Sequence, residues 1–406
     1  MPMSRWVGVL AVAAVLGIAG CGPGHGPAAT TGGSASPAAS TPDRSASSSS
    51  APAQASAGPT GGHLAGAVPA GFAATSVTWV SPEEAFVLGT APCAHAPCTA
   101  VLRTLNRGAS WVGLPGPAEA VGAPGLEGGT PVLWGIRFAT PEHGFAFGGG
   151  VWETTDGGER WVRDFVPAGS FLSLAIAGGQ VLALNALCAP GGGCEEGALL
   201  RRPLNGGVWT GVAQATVPSL LDPADLIATQ AGVAAALDGR DVLVTRDGGL
   251  SVTAHPIPCP SLAQAPSVAV TSATGLAILC TGEGYTGHTI KQVYVSGDDG
   301  EHWALAGAPS PDGDAGTLAA TPAGQLAIAT ESAASWLFYS PNSGASWQIV
   351  SQQDDGGAGW ADLGFTTVTD GVVVHGPADS DGNATQRPGQ LLLTGDAGAT
   401  WHPVSF

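Results

Sequence analysis

The chain has one lysine in 406 residues, Lys291, beside twelve arginines. Tyrosine (3) and methionine (2) are also scarce, and charged residues make up 11% against ~25% in an average soluble domain. With 31 acids the formal net charge is −18, and no basic cluster occurs. That excludes nucleic acid as a partner, because affinity there begins with phosphate neutralisation. The lack of Lys, Glu and Leu-rich heptads excludes a coiled coil. At 44% hydrophobic residues the chain as a whole is too apolar to be disordered. What is plentiful is glycine, 63 residues, together with β-branched residues. That mixture, poor in helix formers, predicts an all-β protein with many turns.

The N-terminus reads as a targeting segment. Arg5 precedes an apolar run over residues 6–19, which has the length of a signal-peptide core and is too short to span a bilayer comfortably. The run ends Leu16-Gly17-Ile18-Ala19-Gly20-Cys21. Small residues before a cysteine resemble the bacterial lipobox, which implies cleavage before Cys21 and attachment of diacylglycerol to its sulfur, with palmitate among the acyl chains. Residues 22–62 are almost entirely Gly, Pro, Ala, Ser and Thr. Such a stretch cannot bury enough apolar surface to fold and reads as a flexible tether. The expected organisation is a signal peptide over 1–20, a lipidated cysteine and tether over 21–62, and a folded domain over 63–406, anchored to the extracytoplasmic side of the cell membrane.

Seven cysteines are an awkward number for an exported protein. Assigning Cys21 to the lipid leaves Cys93, Cys98, Cys188, Cys194, Cys259 and Cys280. Six cysteines allow ~15 pairings, and their spacing favours local pairs: 93 with 98, 188 with 194, and 259 with 280. Zinc is the rival use, but no CxxC pair occurs and an exported compartment favours disulfides. No metal and no cofactor are expected.

From residue 71 onward one pattern recurs: Thr or Ser, Asp or Asn two residues on, Gly two further, Trp three beyond. The clearest copy runs from Thr154 through Asp156 and Gly158 to Trp161. Others centre on Asn106/Trp111, Asp298/Trp303, Asn342/Trp347 and Asp396/Trp401. A sixth, at Asp247, has Val252 where Trp belongs; a seventh, before Trp209, loses the acid's position. Upstream of each box lie two strands joined by a short turn, such as 76–80 with 85–89 and 371–375 after 364–368. A third strand leads into the box and a fourth follows the Trp. Four strands per repeat, seven times, at a spacing of ~40–50 residues, predict a seven-bladed β-propeller.

The box resembles the Asp-box, or BNR repeat, of sialidase-like propellers, over about residues 75–406. Segments such as Gly144-Phe-Ala-Phe-Gly followed by Thr154-Thr-Asp-Gly-Gly look most like the photosystem II assembly-factor branch. The resemblance implies the fold and does not fix an activity. In each box the Asp or Asn is expected to hold the turn, Gly to supply positive φ, and Trp to pack between blades. Those acids are therefore structural candidates, not catalysts.

In a propeller the A–B and C–D turns share one face, and the B–C and D–A connections the other. Here the first face holds tight turns and boxes. The long insertions (90–99, 186–197, 281–290 and 376–389; 113–132, 211–224, 254–266 and 351–362) and all six remaining cysteines fall on the second, where binding usually resides. Its candidate residues are Glu283, Tyr285, His288, Asp355 and Trp360, with Glu195, Glu196, Asp354, Asp362, Asp379, Asp381, Arg201 and Arg387 nearby. Asp379-Ser-Asp381-Gly-Asn383 begins like a calcium loop but lacks the Gly and Glu that complete one, so a hairpin turn is the plainer reading. Residues 64–70 either leave blade 7 self-contained or add a strand to it.

Sialidase chemistry is a poor match: the early Arg-Ile-Pro motif of that family is missing, only three tyrosines exist, and strong acidity repels an anionic sugar. No Gly-x-Ser-x-Gly elbow and no phosphate loop stand before a helix. The expectation is a monomeric, lipid-anchored propeller, more binding module than enzyme. It would hold an envelope protein on its loop face in an assembly or scaffolding role. The alternative is a glycan-binding lipoprotein or a glycoside hydrolase using two loop acids.

Overall fold

The computed structural model describes residues 66–122, 131–189, 194, 197–215, 226–229, 232–238, 240–260, 264–314, 316–377 and 389–406. The expected signal peptide, Cys21, the tether, Glu195, Glu196, Asp379, Asp381, Asn383 and Arg387 lie outside the described residues. Within them the chain forms seven consecutive antiparallel sheets and no α-helix. Six sheets have four strands; in the second, a two-residue strand, Ala120–Val121, adds in parallel to the usual four. The blades occupy 73–115, 132–163, 170–215, 226–256, 264–307, 316–353 and 360–403. Successive innermost strands lie against each other, and the first also lies against blade 7. The predicted seven-bladed β-propeller is the fold.

Seven hydrophobic clusters hold the ring, one for each seam between neighbouring blades. Side chains alternate across a strand, so each strand feeds two seams. In Gln180–Ala186, Leu182, Leu184 and Ala186 face blade 4, while Val181 and Ala183 face blade 2. With both faces covered, inner strands read as continuous apolar runs rather than as alternating ones. Each fully buried Leu or Phe contributes about 1.5–3 kcal/mol. The box tryptophans extend into the seam with the preceding blade. Trp161, fully buried, donates its indole N–H to the Pro115 carbonyl at 3.0 Å, and Trp303 does the same to Pro256 at 3.2 Å. Trp111, Trp347 and Trp401 occupy the matching places, and Val252 fills the seam between blades 3 and 4 where a Trp is missing.

The innermost strands are linked by hydroxyl groups as well. Bulges at Ala74/Ser76 and Gln264/Ser267 turn serines towards the next blade. Ser76 Oγ accepts the Ile136 N–H at 3.0 Å, and Ser267 Oγ accepts that of Leu318 at 2.9 Å. In blade 7 the same place is taken by Asp362, within a bulge and at φ 50°. Its carboxylate accepts the Val77 N–H at 2.8 Å and the Ser76 hydroxyl, and pairs with Arg137 at 2.7 Å. Asp362 is thus a ring-closing residue on a strand, which corrects its placing among the loop-face acids.

Ring closure needs no strand exchange. All four strands of blade 7 come from 360–403, and Ala74, Val77 and Leu102 of blade 1 pack directly on Val372, Val374 and Leu391. The segment from Gly66 runs instead beside the outermost strand of blade 1, where Gly66 and Gly113 exchange both backbone hydrogen bonds at 2.8 Å. Phe406 sits on this seam, its ring 5.1 Å from Phe72 and 5.5 Å from Trp111.

Two further expectations are revised. Residues 281–290 are not a loop: strands Leu276–Tyr285 and His288–Ser296 run through them, leaving a two-residue turn. Arg201 pairs across to Leu182 and lies near Gly249 of the blade 4 box, so it belongs to the turn end of its strand, not to the loop face.

Candidate binding face

On the turn face the Asp or Asn and the Thr or Ser of six boxes are bonded within the box itself. The side-chain Oδ1 of Asn106, Asp156, Asp247, Asp298, Asn342 and Asp396 accepts the backbone N–H four residues on, at 2.8–3.0 Å. The Thr or Ser two residues earlier donates its hydroxyl to the same oxygen. That hydroxyl in turn accepts the N–H of the box glycine. The glycine stands at positive φ, +81° to +97°, where a Cβ would be strained. Hydrogen bonding from Ser251 holds the Asp247 carboxyl at about 2, and that from His302 does the same for Asp298. Carboxyls held so low stay ionised and cannot donate a proton. Asp298, Glu301 and His302 come within 4.8 Å of one another, beside a groove of about 680 Å³ bordered by Trp303, Pro322 and Leu326. Both Asp298 oxygens are already engaged, one by the His302 backbone and one by its ring.

The loop face is irregular by contrast. Its connections carry three disulfides, Cys93–Cys98, Cys188–Cys194 and Cys259–Cys280, the local pairs that the spacing favoured. The first two close turns five and six residues long. The third ties the connection between blades 4 and 5 to the second strand of blade 5, and Cys280 is buried in their seam. Cross-links of this kind fix loops that have no core of their own.

All five candidate residues gather around blades 5 to 7. The extended hairpin of blade 5 presents Tyr285, 58% exposed, with its ring 5.5 Å from that of His288. Glu283 is exposed on the same hairpin. His288 Nδ1 lies 3.5 Å from the Asp312 carboxylate. The hairpin tip leans on blade 6, the Ser332 hydroxyl donating to the Gly287 carbonyl at 3.1 Å. Gly357, at φ +81°, lies so close over the Ser332 carbonyl that no side chain fits there. Beyond it, Asp355 hydrogen-bonds buried His375, whose ring lies 4.5 Å from that of Trp360 at a tilt of 34°. Trp360 in turn donates to the Thr330 carbonyl at 3.1 Å. Burial alone would push the Asp355 carboxyl up. Hydrogen bonds from His375, Ser335 and the Gly357 and Ala358 backbone outweigh it and hold the group below its ordinary value.

Lys291, His375 and Asp312 are not among the candidate site residues read from the sequence. Lys291 is 1% exposed. Its ammonium donates to four carbonyls, of Thr289, Pro311, Asp312 and Gly313, at 2.7–3.1 Å. A tethered cation thus holds the connection between blades 5 and 6 to the hairpin. Burial pushes its pKa down to about 8, against the opposing pull of Asp314 and Asp312. The one signal available was rarity: a single lysine in an acidic chain.

No protein-family model and no curated protein matches the chain. Among solved structures it is similar to YCF48 bound to D1 peptide, at 16% identity and a TM-score of 0.49, over 84% of this chain and 96% of that one. It is also similar to YCF48 from Cyanidioschyzon merolae, at 17% identity and a TM-score of 0.43, over 67% and 84%. An ancestral GH74 enzyme is 12% identical with a TM-score of 0.45, over 72% of this chain and 39% of that one. The class, a seven-bladed β-propeller with one box-locked face and one elaborated face, stands on the sheet topology itself.

Proposed function

We propose that this chain is a lipid-anchored, extracytoplasmic propeller that binds a protein partner through its loop face, in an assembly or scaffolding role. The observation that carries the reading is the asymmetry of the two faces. One repeats a self-satisfied box; the other gathers all three disulfides and the non-repeating hairpin of blade 5. Exposed apolar side chains on that hairpin, Tyr285 and Ile290, suit a protein surface. Lipidation at Cys21 and the tether would place this face at a distance from the membrane.

A second reading, a glycan-binding or glycoside-hydrolase lipoprotein, is favoured by Trp360 beside His375 and Asp355. An aromatic plate next to a carboxylate is a common sugar platform. Held low, Asp355 would serve there as an ionised base or charge partner, leaving the proton donor to another acid.

The test is photo-crosslinking in the native cell, with the photoreactive residue placed at Tyr285 on the loop face or at Leu250 on the turn face. A Cys21→Ala chain serves as the unanchored control. One protein captured from Tyr285, not from Leu250, and lost with the anchor supports the proposal. No capture from Tyr285 overturns it, and hydrolysis of neutral polysaccharides then becomes the assay to run.

A further inference from the structure

The charge of this chain is unevenly distributed. Residues 264–406, within which blades 5 to 7 lie, hold fourteen acids and two formal cations, Lys291 and Arg387. Residues 66–263 hold sixteen acids and nine arginines. Two-thirds of the net −18 therefore belongs to the last third of the sequence. Lys291 does not offset this at the surface, because its ammonium is enclosed by four carbonyls.

On the loop face of the same blades exposed acids, Glu283, Asp314 and Asp354 among them, lie beside apolar and aromatic groups. Tyr285 and Ile290 are 58% and 52% exposed on the hairpin of blade 5. Glu283 is exposed two residues before Tyr285, and Asp314 is exposed on the connection below it. Through the Gly287–Ser332 hydrogen bond and the Gly357 contact this surface continues to Asp354, exposed, and on to Trp360. Among the described residues no lysine or arginine side chain is exposed on this arc.

Resting on the reading above, we infer that the loop arc of blades 5 to 7, centred on Tyr285, docks a lysine- or arginine-rich extended segment of the partner protein. Charge complementarity selects the occupant: a polyanionic rim attracts and orients a cationic chain and repels an acidic one. The faces of Tyr285 and Trp360 accept the aliphatic stems and cationic heads of Lys and Arg. An anionic glycan or a lipid headgroup is excluded by the same field.

The probe is a fluorescent twelve-residue peptide of alternating lysine and serine, with a glutamate–serine peptide as the mirror, followed by anisotropy on the full folded chain. The lysine peptide is expected to bind and the glutamate peptide not, with affinity falling as salt is raised. In Glu283→Gln/Asp354→Asn the affinity should drop by about fivefold, and in Tyr285→Ala by about threefold. Glu142→Gln/Glu159→Gln, on the turn face, should stay within about twofold of the parent. Equal losses from both acid pairs would show diffuse attraction to a polyanion and overturn the inference, as would no binding. The two proposals fail separately. A partner that still crosslinks at Tyr285 and is indifferent to Glu283→Gln/Asp354→Asn leaves the binding role standing and removes the cationic segment.

Discussion

Replacing Lys291 with methionine keeps most of the buried stem and removes the ammonium. Two effects oppose each other at this site. Enclosure strips water from a charge, which lowers its pKa; four carbonyls at 2.7–3.1 Å give back part of that solvation. With the pKa at about 8 in place of 10.5, desolvation wins. That gap corresponds to ~3 kcal/mol, or ~2 kcal/mol after allowing for solvent screening beside exposed Asp314. The sign follows from proton counting. Between pH 8 and 10.5 the unfolded chain holds the proton and the folded chain does not, so stability rises with pH across that window. Below pH 8 both states are protonated and the penalty is fully present. The parent should therefore gain ~2 kcal/mol relative to Lys291→Met between pH 8 and 10.5 in urea unfolding. One lysine in the chain makes the assay direct, because selective labelling at Cε yields a single NMR signal to titrate. A signal titrating at 10.5 or above, with a flat difference between the two proteins, would refute the reasoning and show that the carbonyls outweigh desolvation.

The boxes should make the fold acid-sensitive: Asp247 and Asp298 at about 2 lie below their unfolded values. Their stabilisation is thus present above pH 4 and lost as pH falls to 2, and Asp247→Asn should flatten the dependence of Tm on pH there. Trp161→Ala, which empties a fully buried site and orphans the Pro115 carbonyl, should cost about 3–5 kcal/mol by denaturant unfolding. Removing Cys259–Cys280 by paired Ser substitution opens a loop of 21 residues and should cost about 3 kcal/mol by calorimetry. The five-residue Cys93–Cys98 loop should cost less in the same assay.

The blades were legible because each signal was repeated. A Thr–Asp–Gly–Trp spacing seen once is a turn; seen five times with two degraded copies, it sets period, strand count and fold together. Trp161 and Val252 show the limit of the rule, since the seam accepts a smaller side chain where its neighbours fill the space. Single events were harder to read. Asp362 looks like any loop acid, and only the bulge at Ala361/Gly364 turns it into the residue that joins blade 7 to Ser76 and Arg137. Residues 281–290 resembled a loop because Gly282, Gly284 and Gly287 interrupt the apolar pattern. The strands persist there through pairing with each other and support from Ser332. Buried Arg202 gives no sequence signal at all. Its partners Glu153 and Asp164 and its aromatic neighbours Phe145 and Trp209 come from two blades.

The enclosure of Lys291 also bears on how long such a protein lasts among proteases. Enzymes that cut after lysine or arginine need an exposed side chain to fill their specificity pocket and a backbone that can be drawn into an extended conformation. After Arg246 the sequence holds only two such residues, Lys291 and Arg387. The first is sealed among four carbonyls in the third strand of its blade. Across the last third of the sequence, then, a trypsin-like enzyme meets two cationic residues: the bond after Arg387 leads into Pro388, which such enzymes do not cut, and the fold encloses Lys291.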